Sequence, residues 1–484
     1  MIKVLFAASE ATPFAKTGGL ADVVGTLPRA LQKAKVDARI IVPLYGDIPE
    51  EYRVQMRQIA AETVQLGWRR QYCGLFELQY EGVTFYFVDN EYYFRRKGLY
   101  NFYDEAERFG FFSKAVLDII PRLDWTPDII HCHDWHVGMI PVLLRSHYCR
   151  APWCAAMKTV CTIHNLEYQG VFPSTILGDM FNLEYDEAAT TALEFYGMVN
   201  FLKGGLEFAD YITTVSPTYA QEIQTRYWGE KLDGVLNRRS ERLVGIVNGI
   251  DPDVYNPLTD PALFANYSLR SLKGKAENKA RLQEMLGLEK NPAAPLFGVV
   301  SRLVKAKGFD LVQRVLDEMV AEGMQLAVLG TGDPQYEAMF REAARRYPGR
   351  IAVQIGYDDV LARRIYSGAD LLLMPSQKEP CGISQLIAMR YGCIPLVREV
   401  GGLKDTVESF NPDTNEGTGF TFANFNAHDM LHVMRLACNV HRDQKRWNIL
   451  MKMAMKTDCS WKKSAREYSA LYRQVREVDF HVSK

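Results

Sequence analysis

The chain has 484 residues, too many for one ordinary core, so two domains of about 200 residues each are expected. Its 57 Lys and Arg stand against 58 Asp and Glu, which removes any electrostatic reason to expect nucleic acid or a membrane surface as partner. A hydrophobic share of 48% with 24% charged residues excludes a disordered chain.

The opening "MIKVLFAASEA" has an apolar run too short for a signal peptide, and no later run approaches a transmembrane helix in length. Short β-branched runs then alternate with helical stretches. The first half carries the strands "KVLFAAS", "ARIIVPL", "DIIHCH", "KTVCTIH", "DYITTVS" and "RLVGIVN". Inside it, "LFELQYEGVTFYFVD" reads as an inserted hairpin turning at Glu81-Gly82. A Pro-, Asp- and Asn-rich break follows near 250–293, with an amphipathic helix inside it. The second half carries "LFGVVSRL", "QLAVLGTG", "IAVQIGY", "LLLMPS" and "CIPLVRE", separated by helices such as "DLVQRVLDEMVAEG". This alternation predicts an α/β fold with a parallel sheet in each half. We place the domains at 1–243 and 244–455, with a linker near 243–250. The stretch 447–478 reads as helical, and 456–484 is a tail expected to pack back on the first domain. The nine cysteines are scattered without a CxxC pair, which predicts reduced thiols and a cytoplasmic protein.

In open parallel sheets ligands bind beyond the carboxyl ends of the strands. "EATPFAKTGGLADV" occupies such a place. Gly18 and Gly19 allow close backbone approach, the following helix offers unpaired N–H groups to an anion, and Lys16 adds a full charge. The pattern suits a phosphate or diphosphate, but is neither a P-loop nor GxGxxG; alone it is equally a glycine turn with a solvated lysine. A related phrase, "EVGGLKDTV", returns at 399–407. "SRLVKAKGFD" (301–310) sets Arg302, Lys305 and Lys307 in a strand-end loop, enough cations to neutralise a diphosphate without a metal. In "MPSQKEPCGISQLIAMRYG" (374–392), Glu379 precedes a helix start whose amides, Gly382 to Ser384, suit phosphate, while the carboxylate suits sugar hydroxyls. "IIHCHDWHVG" imitates a metal site, with His131 and His133 on one face of a strand, but lacks HExxH and a cysteine pair. Asp134 is better read as a hydroxyl-binding or charge-stabilising residue, with His164 and Asn165 of "TIHNLEYQG" at a second strand end.

Taken together, "KTGGLADVVGTLPRAL", "HCHDWH", "TIHNLEYQG", "SRLVKAKGFD" and "EPCGISQL" resemble the bacterial glycogen synthases and plant starch synthases, in family order over nearly the whole chain. "KGLYNFYDEAERFGFFSKA" and "VNGIDPDVYNP" resemble the family too. The resemblance implies the GT-B fold: two facing Rossmann-like domains with a deep interdomain cleft, the first on the acceptor side and the second binding the nucleotide sugar. It implies a retaining transfer of α-glucose from ADP-glucose to the non-reducing 4-OH of an α-1,4-glucan. No cofactor and no metal is implied for the chemistry. By the same resemblance Asp134, His164, Arg302, Lys307 and Glu379 are catalytic. Lys16, Gly18, Gly19, Tyr357, Cys381, Gly382, Ile383 and Ser384 bind the donor, Tyr357 by stacking on the base. Tyr100, Trp135 and Asn165 bind the acceptor. Partners are then the nucleotide sugar and the glucan. UDP-glucose as donor, or a catalytically inactive glucan-binding protein, are the competing readings. Two departures stand out: Ala306 where the family often has Gln, and "EPCGISQL" where it has "EPCGLTQL".

Overall fold

The computed structural model describes residues 1–477. The chain divides into two compact units, one comprising Met1–Asn248 with the chain from Trp461 onward, the other Gly249–Ser460.

The first unit contains β1 (Ile2–Ala7), β2 (Val36–Pro43), β3 (Arg57–Leu66), β4 (Arg69–Tyr80), β5 (Val83–Asp89), β6 (Ile129–His133), β7 (Lys158–Ile163), β8 (Val171–Pro173), β9 (Glu194–Phe195), β10 (Met198–Asn200), β11 (Tyr211–Thr214) and β12 (Leu243–Gly245). Among the described residues, nine form one sheet in the order β12-β11-β7-β6-β1-β2-β5-β4-β3. β1 lies at its centre, pairing in parallel with β2 on one side and β6 on the other. Its side chains Val4, Leu5 and Phe6 are wholly buried, as a strand covered on both faces requires. The chain winds outward from β1 in one direction, returns, and continues from β6 in the other. The β1/β6 boundary is therefore the topological switch point, where strand-end loops diverge and leave room for a ligand.

The hairpin at Glu81-Gly82 joins β4 to β5, both turn residues having positive φ (48° and 79°) as a two-residue turn on twisted strands demands. It gains a third strand that sequence reading missed. β3 is an edge strand with half its residues exposed, and only its end, Thr63–Leu66, alternates exposed with buried.

The second unit contains β13 (Leu296–Val300), β14 (Gln325–Gly330), β15 (Ile351–Ile355), β16 (Leu371–Met374), β17 (Ile394–Arg398) and β18 (Phe420–Phe422), ordered β15-β14-β13-β16-β17-β18 with every pairing parallel. Its switch point lies between β13 and β16. β18, three residues long, was not foreseen.

Both expected domain boundaries move. Leu243–Gly245 is no linker: it pairs with Ile212–Thr214 and extends the first sheet, so the division falls after Asn248. The second crossing falls after Ser460 rather than 455, because the Ile250 amide bonds to the Cys459 carbonyl (2.8 Å) and holds that segment to the second unit. The stretch expected as one helix is two. Gln444–Lys456 buries Trp447, Leu450 and Met451 in the second unit. Lys462–Glu477 lies on the first, where Tyr472 Oη bonds His131 Nδ1 (2.8 Å) and Ser469 Oγ donates to the Ala34 carbonyl (3.2 Å). The end of the expected tail, 478–484, lies outside the described residues. All nine cysteines are free thiols, with Cys149 exposed. Among the described residues no helix is long and apolar enough to cross a membrane.

Candidate active site

In the first unit the predicted residues lie on the loops after β1, β6 and β7, except Tyr100, which is in the segment after β5. After β1 the chain forms the loop that carries Lys16 and enters the helix Gly19–Lys33, which buries Leu20, Val23, Val24, Leu27 and Leu31 along one face. Lys16 Nζ lies 2.7 Å from Asp22 Oδ1, in that helix's first turn. A Cβ added to Gly18 would meet nothing within 4 Å, so the space before this turn is open.

What holds the loop is Glu10, which the motifs did not single out. It is buried, and its carboxylate accepts hydrogen bonds from the Thr17 amide, the Thr17 hydroxyl (3.0 and 3.1 Å) and Tyr100 Oη (2.9 Å). Burial pushes the Glu10 pKa up, against these donors, which lower it. An acid directly after a buried strand and beside a glycine loop was the available signal. Tyr100 Oη also lies 2.7 Å from Ser9 Oγ, so this hydroxyl is engaged inside the unit. The Tyr100 ring packs against His136 (4.8 Å), which stacks on Trp135 (4.1 Å).

Asp134 has φ 60°, an uncommon conformation for a non-glycine residue and a common sign of a functional constraint. Its Oδ1 accepts the His164 amide at 2.7 Å. Burial raises its pKa to about 7, opposed by the amides of His164 and Asn165, and Glu10 is near enough to add repulsion. Three of the histidines bond to other side chains. His131 bonds Tyr472 and Thr162, and His133 Nδ1 meets His164 Nε2 at 2.9 Å. Burial lowers the pKa of His131, His136 and His164 to about 3 and that of His133 well below its ordinary value, so all four are neutral near pH 7. Among the described residues no three His, Cys, Asp or Glu side chains converge to hold a metal. No donor among them meets the His164 carbonyl. Trp135 also lines a groove of about 450 Å³ with Glu105, Tyr168, Gln169, Gly170 and Phe172. Gly170 is required there: a Cβ would lie 2.3 Å from the indole.

In the second unit the loops after β13 and β16 are bonded together at the switch point. The Ala306 carbonyl accepts the amides of Gln377 (2.8 Å) and Lys378 (3.1 Å), a junction that any side chain at 306 allows. Lys307 Nζ pairs with Glu379 Oε2 at 2.5 Å, and Ser376 Oγ donates to the same oxygen at 3.1 Å. Glu379 is only 7% exposed, and its Oε1 has no partner among the described residues. The Arg302 side chain is exposed and forms no hydrogen bond or ion pair among them.

The recurring glycine pair does a different job from the first. Gly401 (φ 45°) and Gly402 press on the backbone of Glu379–Cys381, where a Cβ would come within 2.0 Å of the Glu379 carbonyl and 2.3 Å of the Cys381 carbonyl. They seat the Glu379 loop. Gly382 has φ 75°, and Gln385 secures its loop by donating to the Cys381 (3.1 Å) and Gly382 (3.0 Å) carbonyls. Ile383 and Ser384 open the helix Ser384–Arg390, whose first amides lack intrahelical acceptors. The Ser384 hydroxyl donates to the Val300 carbonyl at 3.5 Å, at the end of β13. Tyr357 stands 77% exposed just beyond β15.

Each unit is an α/β layer whose sheet is parallel around its switch point, and two family models give these layers as the domains of a glycosyltransferase of the GT-B class. Residues 3–238 match the model for starch synthase catalytic domains, and 283–449 that for group 1 glycosyl transferases. The chain is 53% identical over 474 residues to the glycogen synthase of Anoxybacillus flavithermus, covering 98% of each chain, and 52% identical over 480 residues to that of Geobacillus stearothermophilus, covering 99% of each. The chain belongs to the bacterial glycogen synthase family. Among solved structures it matches the catalytic domain of starch synthase IV from Arabidopsis thaliana, bound to ADP and acarbose, with a TM-score of 0.92, 33% identity, and 99% and 100% of the two chains covered. Sucrose-phosphate synthase from Thermosynechococcus elongatus (TM-score 0.62, 17% identity, 98% and 99% covered) shares the fold.

Proposed function

We propose that the protein transfers α-glucose, with retention, from ADP-glucose to the non-reducing 4-OH of an α-1,4-glucan and releases ADP. The observation that carries this reading is the Lys307–Glu379 pair at the second unit's switch point, with Arg302 exposed on the same loop as Lys307. ADP and acarbose in the Arabidopsis neighbour support the choice of nucleotide and of glucan.

Negative charge grows on the departing diphosphate as the glycosyl bond breaks, so Arg302 and Lys307 act most strongly there. Removing one such donor costs roughly 100- to 1000-fold in rate by analogy with oxyanion stabilisers. Lys16, Gly18, Gly19 and the Gly382–Ser384 amides add donors to the phosphates, while Cys381 lines the turn before them. Tyr357 stacks on the adenine. Glu379 uses its unpartnered Oε1 for glucose hydroxyls. Asp134 holds the His164 peptide, whose carbonyl faces the developing oxocarbenium ion. Trp135, Asn165 and Tyr100 serve the acceptor side, Tyr100 by fixing the loop through Glu10.

A double displacement needs a carboxylate free to attack the anomeric carbon. Asp134 is bound to backbone amides and Glu379 to Lys307, which favours front-side attack. The C1–phosphate oxygen bond breaks, the acceptor O4 bonds C1 on the same face, and its proton passes to the leaving phosphate. A trapped glucosyl adduct on Asp134 or Glu379 rules this route out. No metal takes part in this chemistry, and the protein acts in the cytoplasm.

The test is to incubate the protein with glycogen and labelled ADP-glucose or UDP-glucose in EDTA. Label in polymer from ADP-glucose is expected. Preference for UDP-glucose moves the donor assignment, and glycogen binding without transfer from either donor overturns the enzymatic reading.

A further inference from the structure

Two histidines of "HCHDWH", His131 and His133, have no part in the transfer described above, yet one of them touches His164. His133 ends β6 and pairs in parallel register with Thr162 of β7. His164 lies two positions beyond Thr162, and side chains alternate across a sheet, so both imidazoles come to the same face. His133 Nδ1 meets His164 Nε2 at 2.9 Å. The rest of the His133 ring is closed in. Phe6 stacks on it at 5.1 Å, and the His131 ring lies 4.2 Å away. His131 offers it no bond, because Tyr472 Oη and Thr162 Oγ1 already engage both its nitrogens. His133 Nε2 is buried and has no hydrogen-bond partner among the described residues.

We infer that His133 is a positioning residue for the transfer: it donates its Nδ1–H to His164 Nε2, which obliges His164 to carry its own proton on Nδ1 as a donor to a substrate oxygen. Burial keeps both rings neutral at neutral pH, so each has one N–H and one bare nitrogen. Two proton arrangements make the bond between them. If His164 donated, the His133 proton would sit on Nε2, a buried N–H without an acceptor. If His133 donates, the group left over is only a bare nitrogen. Among backbone groups the buried N–H without an acceptor is the rarer defect, and the same asymmetry favours His133 as donor. His164 then presents an N–H rather than a lone pair. Its Nδ1 meets no partner among the described residues, and the residue is partly exposed at the strand end. Hydroxyl and phosphate oxygens accept hydrogen bonds, and a sugar nucleotide carries both. Asp134 fixes the His164 peptide (2.7 Å), while His133 fixes the ring and its proton. This rests on the glucosyl-transfer reading above for the identity of that oxygen.

The full chain is labelled with nitrogen-15 histidine, and the tautomer of each ring is read from long-range proton–nitrogen correlations. The His164 signals are assigned by their loss in His164→Gln. In wild type the protons of His133 and His164 are both expected on Nδ1. A His164 proton on Nε2 overturns the inference, whether or not any variant folds. His133→Phe keeps a flat ring but cannot donate, whereas His133→Asn sets an amide N–H close to the place of Nδ1–H. His133→Phe is expected to spread the His164 proton over both nitrogens and to lower kcat roughly 10- to 100-fold, the range found when a group that orients a functional histidine is removed. His133→Asn is expected to restore kcat to within about fivefold of wild type. Equal losses in the two variants overturn the inference, as does an unchanged kcat in His133→Phe. If wild type transfers no glucose while His164 carries its proton on Nδ1, the proposed function fails and the proton placement stands.

Discussion

Asp134 lies under the amides of His164 and Asn165 with its pKa raised to about 7 by burial, so protonation affects rate and stability in opposite directions. The charged form supports the transfer, and activity is expected to fall as pH drops through about 7. Stability has the other sign. Between about pH 4 and 7 the unfolded carboxyl is ionised while the folded one holds its proton, so stability declines as pH rises across that window and levels off above it. Initial rates and thermal melts between about pH 5 and 8 check both. Asp134→Asn is expected to lose most activity and to melt closer to wild type at the acid end than at the alkaline end. Asp134 was legible in the sequence as an acid at a strand end. Glu10 was marked only as an acid after a buried strand beside a glycine loop; its bond to Tyr100, 90 positions away, appears only in the folded chain.

The two glycine phrases show how little a local pattern says about an element's task. "KTGGLADV" and "EVGGLKDTV" both enter helices from strand ends, yet Gly18 faces open space while Gly401 and Gly402 are pressed on another loop. Gly308, with φ 74° and a would-be Cβ 2.0 Å from the Pro375 carbonyl, closes the turn that bears Lys307. Gly308→Ala is expected to cost about 1–2 kcal/mol from the backbone conformation alone, and more from the clash. It should lower the melting temperature. Gly18→Ala should melt within about 1 °C of wild type, because φ is extended there and nothing is displaced, but raise the KM for ADP-glucose. Calorimetry and donor titrations separate the two. Equal melting losses would mean that Gly18 is structural as well.

At the scale of the whole chain, the C-terminal helix completes the first unit although some two hundred residues of the second unit intervene. Tyr468, Leu471, Tyr472 and Val475 are buried, and Tyr472 bonds His131 beneath the candidate site. Truncation after Ser460 is expected to destabilise the first unit while leaving the second unit's melting transition in place. Two-transition calorimetry checks this, since removing several buried aromatic side chains costs several kcal/mol. Loss of both transitions together would show that the units do not melt separately.

By itself the sequence determined what depends on near neighbours. Buried parallel strands announce themselves as continuous apolar runs, and all eleven predicted strands of the two main sheets are present. Strand-end loops rich in Gly, Lys and acid marked the candidate site, because ligands bind where such loops end. Only the tertiary structure decided what depends on distant contacts. It put the polar edge strand β3 beside β4 and split the final helix in two. It also paired Lys307 with Glu379, and secured the Lys16 loop through Glu10. The reason is physical: local patterning records which side chains avoid water, whereas pairing energy resides in partners that the chain brings together only when folded.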